Sequence, residues 1–478
     1  MKQANIGVIG VAPMGSNLAL NIESRGYTVA VWNRTGSKTK RFVQKNSGKN
    51  LIATYTLKDL VKSIKKPRNI VMMIKAGKPT DIVINKLIPL LDKGDTLVDG
   101  GNTPFKDTIA RNKKLDKSGI NFIGMGVSGG TSGARFGPAL MPGGQYSAYK
   151  NIKPILDKIA AKTPDGRPTE IYCGPNGAGH YVKMVHNGIE YADEELIGET
   201  YTILRHLCGL SVDKIAAIFK KWNKGELDSY LIDIFANLLA KKDKNGKPVV
   251  DIILDEAENK GTGKWSSEDA LNLGVPQSII TEAVYARFVS MLKDERADAK
   301  KVLNGPSKDE MVKPTADVIE NCRKALYFGK VISYAQGFEQ LRFASKYYNW
   351  NYHFDQIAVD WEAGCIIRAK LLQPIEKAFK KNPKLPNLLL DPYFAKVANK
   401  YQDAARKISA LAMRNGVAIP CFSSAVSYFD EYRTPTSPNA ACIQMMRDTF
   451  GDHGVFFRND IHRQGTRLHL SDLEKSDK

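Results

Sequence analysis

Lys183, His186, Asn187, Glu190 and Tyr191 carry groups that can do chemistry, and their spacing fits one face of a helix. At ~100° per residue they fall within about 140° of arc, leaving Met184, Val185 and Ile189 on the flanks. Such a face offers a lysine base and a carboxylic acid about two turns apart, with three polar anchors around them. Lysine and glutamate at this spacing also occur on solvated helices, so the elements that would position them have to decide.

The first of those elements reads as a nucleotide site. Residues 5–10 (Asn-Ile-Gly-Val-Ile-Gly) form a short apolar run suited to a buried parallel strand, followed by Val11, Ala12, Pro13, Met14 and Gly15 and then a helical pattern. Gly10-x-Ala12-x-x-Gly15 is a dinucleotide fingerprint with alanine in the middle. Its small residues permit a tight turn, a close approach of backbone to pyrophosphate, and close packing of helix on strand. The phosphates would sit on the helix N-terminus. A second strand, 28–32, ends in Asn33, Arg34 and Thr35, with Lys38 beyond, where an NAD enzyme would place an acid on the ribose. A guanidinium there suits a 2′-phosphate, so NADP is the expected cofactor.

Further strand-like runs at 69–74, 96–99 and 121–126 alternate with helical patterns such as 78–91, which predicts a doubly wound, mostly parallel sheet. Ligands bind off the carboxyl ends of such strands. Lys75 and Ala76, Asn102, and Ser128, Gly129 and Gly130 follow three of them and are therefore candidate contacts, although Gly-Gly pairs also make plain turns.

From about Gly177 the pattern turns helical, starting with an amphipathic segment of roughly 30 residues that runs to Cys208-Gly209. Ile218-x-x-x-Trp222-x-x-Gly225 recurs at Ile357, Trp361 and Gly364, each copy following a long helix, so a duplicated helical region is expected. Lys260, Gly261, Thr262, Gly263 and Lys264 form a basic, glycine-spaced loop able to meet a phosphate, too short for a nucleoside-triphosphate loop. Arg287 lies in an otherwise apolar helical stretch, 279–292, where snorkelling or pairing is usual. Beyond Pro438 come Arg447, His453 and a polar, Arg- and Lys-rich stretch that reads as extended.

The chain has 478 residues, 43% hydrophobic and 25% charged, so two or three soluble domains are expected. No apolar run approaches the ~20 residues of a membrane span. Six scattered cysteines without a CxxC pair suggest neither a disulfide framework nor a zinc cluster, and a cytoplasmic location is expected. The formal charge of +20 is spread over many helices without a nucleic-acid-reading motif, so no nucleic-acid partner is expected.

Taken in order, these motifs closely resemble the decarboxylating 6-phosphogluconate dehydrogenase family along essentially the whole chain. The resemblance implies a Rossmann-like domain (1–177), a large duplicated all-helical domain (178–436), and a tail (437–478) that reaches into the partner's active site in a homodimer. It implies NADP over residues 10–15, its 2′-phosphate on Asn33, Arg34 and Thr35, with Ala76 and Asn102 nearer the nicotinamide. A phosphorylated sugar acid would meet Asn102, Ser128, Gly129, Gly130, His186 and Asn187. Its phosphate would lie on Tyr191, Lys260, Thr262, Arg287 and Arg447 of the partner subunit, with His453 of the partner subunit beside it. Lys183 would be the base and Glu190 the acid, with no metal. An ordinary lysine would be protonated, so burial or neighbouring positive charge, for which Lys260 and His186 are candidates, must lower its proton affinity.

The chain departs from the family pattern at Thr131 and Ser132, at Ala192, Glu194 and Glu195, and after His453, where Gly454 begins an unusual run. Two other readings stay open: a shorter β-hydroxyacid dehydrogenase acting on an unphosphorylated acid, and a non-catalytic basic binding protein on a dehydrogenase fold.

Overall fold

Short runs of Val, Ile, Leu and Ala that are apolar on both faces make buried strands only when helices cover both sides of the sheet. The computed structural model describes residues 3–306, 313 and 315–473. Its strands are β1 (Ile6–Ile9), β2 (Val29–Trp32), β3 (Leu51–Thr54), β4 (Asn69–Met72), β5 (Thr96–Asp99), β6 (Asn121–Ser128) and β7 (Ala139–Gly144). They form one sheet in the order β3-β2-β1-β4-β5-β6-β7. β1 to β6 pair in parallel and β7 runs antiparallel to β6. Alternate residues feed two cores: Val8, Val31, Val71 and Ile123 on one face, Ile9, Ala30, Ile70 and Leu97 on the other.

β3 and β7 were not read from the sequence. Both are edge strands; β3 is four residues long, and β7 holds Pro142 and two glycines, residues that argue against a strand except at an edge. The expected helix 78–91 stops at Leu87 and tightens into a 3₁₀ turn, Ile88–Leu90, because Pro89 has no N–H to donate.

The expected long helix is present as Ala178–Thr202, continued by one π turn, Ile203–Leu207. It is not amphipathic in effect: from Ala178 to Ile189 every residue is buried. A helix buried all round is covered on every side. Here the cover is β6 and β7, helices Thr262–Leu273 and Ser278–Ser290, and the 32-residue helix Ala316–Tyr347. The Lys330 ammonium on that last helix pairs with the Asp193 carboxylate, both fully enclosed.

The recurring motif falls on helices Val212–Trp222 and Phe354–Trp361, each after one of the long helices. The segments that follow them meet antiparallel. Tyr230 N–H donates to Arg368 O (3.0 Å) and Lys370 N–H to Asp228 O (2.9 Å), an antiparallel bridge that ties the two copies together.

Sheet and helices up to Ala425 pack as one unit, and the chain from Val426 forms a second. In that second unit the tail after His453 is closed rather than extended. Val455 and Leu468 exchange N–H···O bonds (2.8 and 3.1 Å), and the Asp448 carboxylate accepts from Gly454 N and Leu470 N, each at 2.7 Å. Among the described residues no helix is long and apolar enough to cross a membrane.

Candidate active site

A cleft of about 1190 Å³ opens at the carboxyl ends of the central strands. Gly10, Ala12, Pro13 and Met14 line it from the β1 turn, Asn33, Arg34, Thr35 and Lys38 from β2, Lys75 from β4 and Asn102 from β5. Ala76 and Gly77 follow Lys75 into the next helix, whose first turn is fixed by Thr80 Oγ1 donating to Lys75 O (3.0 Å). Gly15 has no alternative: a Cβ there would stand 1.9 Å from Gly10 O, so helix Pro13–Ser24 can start this close to the strand only without a side chain. Val11 N–H donates to Asn33 Oδ1 (3.3 Å), tying the β1 turn to the end of β2. No described residue lining the cleft is acidic, while Arg34, Lys38, Lys75 and Lys86 are cationic. These residues fit a dinucleotide carrying an additional phosphate.

The second feature lies where the Ala178–Thr202 helix crosses β6. A Cβ on Gly126 would meet Lys183 Cβ at 2.5 Å, so this glycine lets the helix lie against the strand and brings the lysine to the strand's end. Lys183 Nζ donates to Asn187 Oδ1 (2.7 Å) and Ser128 Oγ (3.1 Å) and lies 3.1 Å from His186 Nδ1. Ser128 Oγ and His186 Nε2 are 3.1 Å apart, closing a ring of four polar side chains. The nearer Glu190 oxygen is 3.7 Å from His186 Nδ1.

Burial drives the proton affinities of this cluster. It lowers Lys183 below the ordinary lysine value, against the opposing pull of Glu190, Cys365 and Asp360. It also drives His186 well down, helped by Lys183. It raises Glu190, against Lys183 and Arg287. Of the two causes expected from sequence, burial is the one that lowers Lys183; neither Lys260 nor His186 is among the groups that shift it. The result is a base and an acid on one helix, each moved toward its neutral form.

The third feature is cationic. The Arg287 guanidinium lies over the Tyr191 ring, 3.6 Å from its centroid, donates to Glu258 O (3.1 Å) and pairs with the Glu194 carboxylate. Gly263 packs against the same ring, which places Thr262, the first residue of helix Thr262–Leu273, next to it. Lys260 precedes that helix and is exposed. Arg447 and His453 belong to the second unit. Arg447 is exposed on helix Pro438–Gly451 and donates to Gln444 Oε1 (3.0 Å); His453 is exposed, and its carbonyl accepts from Arg467 (2.6 Å).

The same combination of segments recurs in known proteins. Residues 5–174 match the model of the NAD binding domain of 6-phosphogluconate dehydrogenase, and residues 179–470 match that of its C-terminal domain. The chain belongs to the 6-phosphogluconate dehydrogenase family. Similar relatives are the decarboxylating enzyme of Lactococcus lactis, 56% identical over 95% of this chain and 96% of its own, and the NADP(+)-dependent, decarboxylating enzyme of Bacillus subtilis, 54% identical over the same shares. The Plasmodium falciparum enzyme, described in apo form, with its cofactor NADP+ and with its substrate 6-phosphogluconate, superposes with a TM-score of 0.92 at 39% identity, covering 97% of this chain and 99% of that one.

Within this family site, several supporting residues escaped the sequence reading. Buried Asp99 accepts from Gly101 N (3.0 Å) and Thr103 Oγ1 (2.8 Å), shaping the loop that carries Asn102. Gly364 O accepts from Ala139 N (3.0 Å) and abuts Gly129, and the Trp361 ring stands edge-on to His186 at 5.7 Å. The recurring Trp-x-x-Gly motif was the available signal for this second pair.

Proposed function

We infer that the chain catalyses oxidative decarboxylation of 6-phosphogluconate to ribulose 5-phosphate and carbon dioxide with reduction of NADP. The observation that carries this reading is the pair of opposed shifts on one buried helix face: Lys183 moved down and Glu190 moved up by the same desolvation. Such opposed environments are how one site runs base and acid chemistry near neutrality.

Gly10, Val11, Ala12, Pro13, Met14 and Gly15 would hold the pyrophosphate, Asn33, Arg34 and Thr35 the 2′-phosphate, and Lys75, Ala76 and Asn102 the nicotinamide half. NADP, when bound there, supplies the hydride acceptor. Neutral Lys183 takes the proton of the substrate 3-hydroxyl as C3 is oxidised to a ketone. The lysine, now an ammonium, polarises that carbonyl while the C1 carboxylate leaves as carbon dioxide. Lys183 returns its proton to that oxygen as the enediol forms. Glu190 then gives a proton to the enediol carbon while Lys183 takes up the proton of the enediol hydroxyl, and transfer of that proton from Lys183 to Glu190 resets both groups. Ser128, Gly129, Gly130, His186, Asn187 and Asn102 orient the acid end. Tyr191, Lys260, Thr262 and Arg287 hold the phosphate.

In this reading residues 1–177 hold the cofactor, 178–436 the substrate, and 437–478 a second subunit. Ile443, Met445, Met446 and Phe450 leave helix Pro438–Gly451 with large exposed apolar side chains, which favours a covering partner. We therefore propose a homodimer in which Arg447 of the partner subunit and His453 of the partner subunit complete the phosphate site. The free cysteines Cys173, Cys208, Cys322, Cys365, Cys421 and Cys442 favour a cytoplasmic setting. The test is NADPH absorbance coupled to carbon dioxide release with 6-phosphogluconate. Equal turnover of unphosphorylated gluconate would instead favour a simple β-hydroxyacid dehydrogenase, and NADP binding without turnover a non-catalytic role.

A further inference from the structure

Arg287 is already engaged by an anion belonging to the chain. Its guanidinium is held flat on Tyr191, one nitrogen donates to Glu258 O (3.1 Å), and another pairs with Glu194. Glu194 stands one helical turn beyond Glu190 on the same helix, with 41% of its side chain open to solvent, so an incoming ligand can reach and displace it. Two anions cannot share one guanidinium edge without mutual repulsion.

We propose that Glu194 is a built-in competitor for the substrate phosphate, holding Arg287 until a phosphate displaces it. This rests on the reading that Arg287 binds that phosphate. Glu194 is thereby a specificity-determining residue: an anion able to make several contacts in the site at once displaces it more readily than inorganic phosphate does.

The surroundings make the competition pH-dependent. Glu190 and Asp193 flank Glu194 on its own helix, Glu195 follows it, Arg287 faces it from helix Ser278–Ser290, and Glu258 and Lys260 lie on the segment before helix Thr262–Leu273. Partial withdrawal from solvent and then the Glu190 charge push Glu194 up to about 7, against the pull of Arg287. Below that pH the carboxyl is neutral and releases the guanidinium; above it the competitor is charged.

The experiment is steady-state kinetics of the full-length enzyme with 6-phosphogluconate from pH 6.5 to 8.5, with inorganic phosphate as a competitive inhibitor. In the wild type the KM for 6-phosphogluconate should rise with pH, approaching tenfold one unit above the midpoint of a strictly competing group. Glu194→Gln should flatten that rise, lower KM and the phosphate inhibition constant by about tenfold at pH 8, and leave the KM for NADP in place. A Glu194→Gln KM at pH 8 equal to or above the wild-type value overturns the proposal; a wild-type KM that is flat while Glu194→Gln lowers it overturns the pH dependence alone. Arg287→Gln separates the two layers. If it leaves KM unchanged, the phosphate reading itself fails; if it raises KM while Glu194→Gln does not lower it, only the competitor role fails.

Discussion

Gly126→Ala is the substitution that bears most directly on where Lys183 stands. The added methyl would stand 2.5 Å from Lys183 Cβ, 3.1 Å from Lys183 Cγ and 3.3 Å from Met141 Cβ. Carbon atoms rest at roughly 3.5–4.0 Å, so β6 and the Lys183 helix must separate by about 1 Å or more. Lys183 Cβ lies next to the backbone and cannot swing aside, and Met141 closes the other direction. The displacement therefore passes to Lys183 Nζ, whose bonds to Asn187 (2.7 Å) and Ser128 (3.1 Å) fix its position. A misplacement of ~1 Å costs about 10²-fold in rate, or about 2.7 kcal/mol of barrier. Overpacking should also destabilise the fold by about 1–3 kcal/mol. The control is Gly198→Ala on the same helix, where an added Cβ meets nothing within 4 Å and a gain of about 0.5–1 kcal/mol is expected. Single-turnover NADPH formation gives the rate, fluorescence titration the NADP affinity, and denaturant unfolding the stability. A Gly126→Ala enzyme that turns over within threefold of wild type, at unchanged stability, would refute the claim that this contact sets the lysine.

Lys183→Met should lower turnover by at least 10²–10⁴-fold, the range for removing a general base, with the NADP dissociation constant unchanged by titration. Arg34→Glu should weaken NADP about 100-fold, from loss of a charge-assisted hydrogen bond, while NAD affinity moves little in parallel titrations. Glu199 accepts from Cys421 N (2.6 Å) and Phe422 N (2.9 Å), yet burial lifts it to about 8. A folded-state value above the unfolded one means stability is fully present below about pH 4.5 and is lost as pH rises toward 8, at up to about 1.4 kcal/mol per unit. Urea unfolding across that range should show a shallower slope for Glu199→Gln than for wild type.

What could be read from the sequence was local. The 10–15 turn, the Arg34 position and the Lys183 face are defined by spacings of a few residues, and strand or helix geometry converts such spacings directly into shared faces. Arg287 was visible as an odd cation in an apolar stretch, but its partners Tyr191 and Glu194 lie far away in the chain and only packing joins them. β7 was hidden by Pro142, and Asp99 by the fact that its partners are backbone and threonine hydroxyl groups. The closure of the tail on Asp448 depends on two amides donated from Gly454 and Leu470, and no periodicity announces such a clasp.

Helix Ala178–Thr202 begins inside the dinucleotide-binding half: Gly179 lies against the Met141 and Gly124 carbonyls, and His180 Nδ1 is 2.7 Å from Thr108 Oγ1. It then runs on to Asp193 and its bond with Lys330 in the helical half. A single girder therefore belongs to both halves, and Lys183 is mounted in its second turn. Paired domains ordinarily swing on a linker; here one continuous helix packs on the strands of one half and the helices of the other. The placing of the Lys183 cluster beside the dinucleotide cleft is thereby a property of the fold itself.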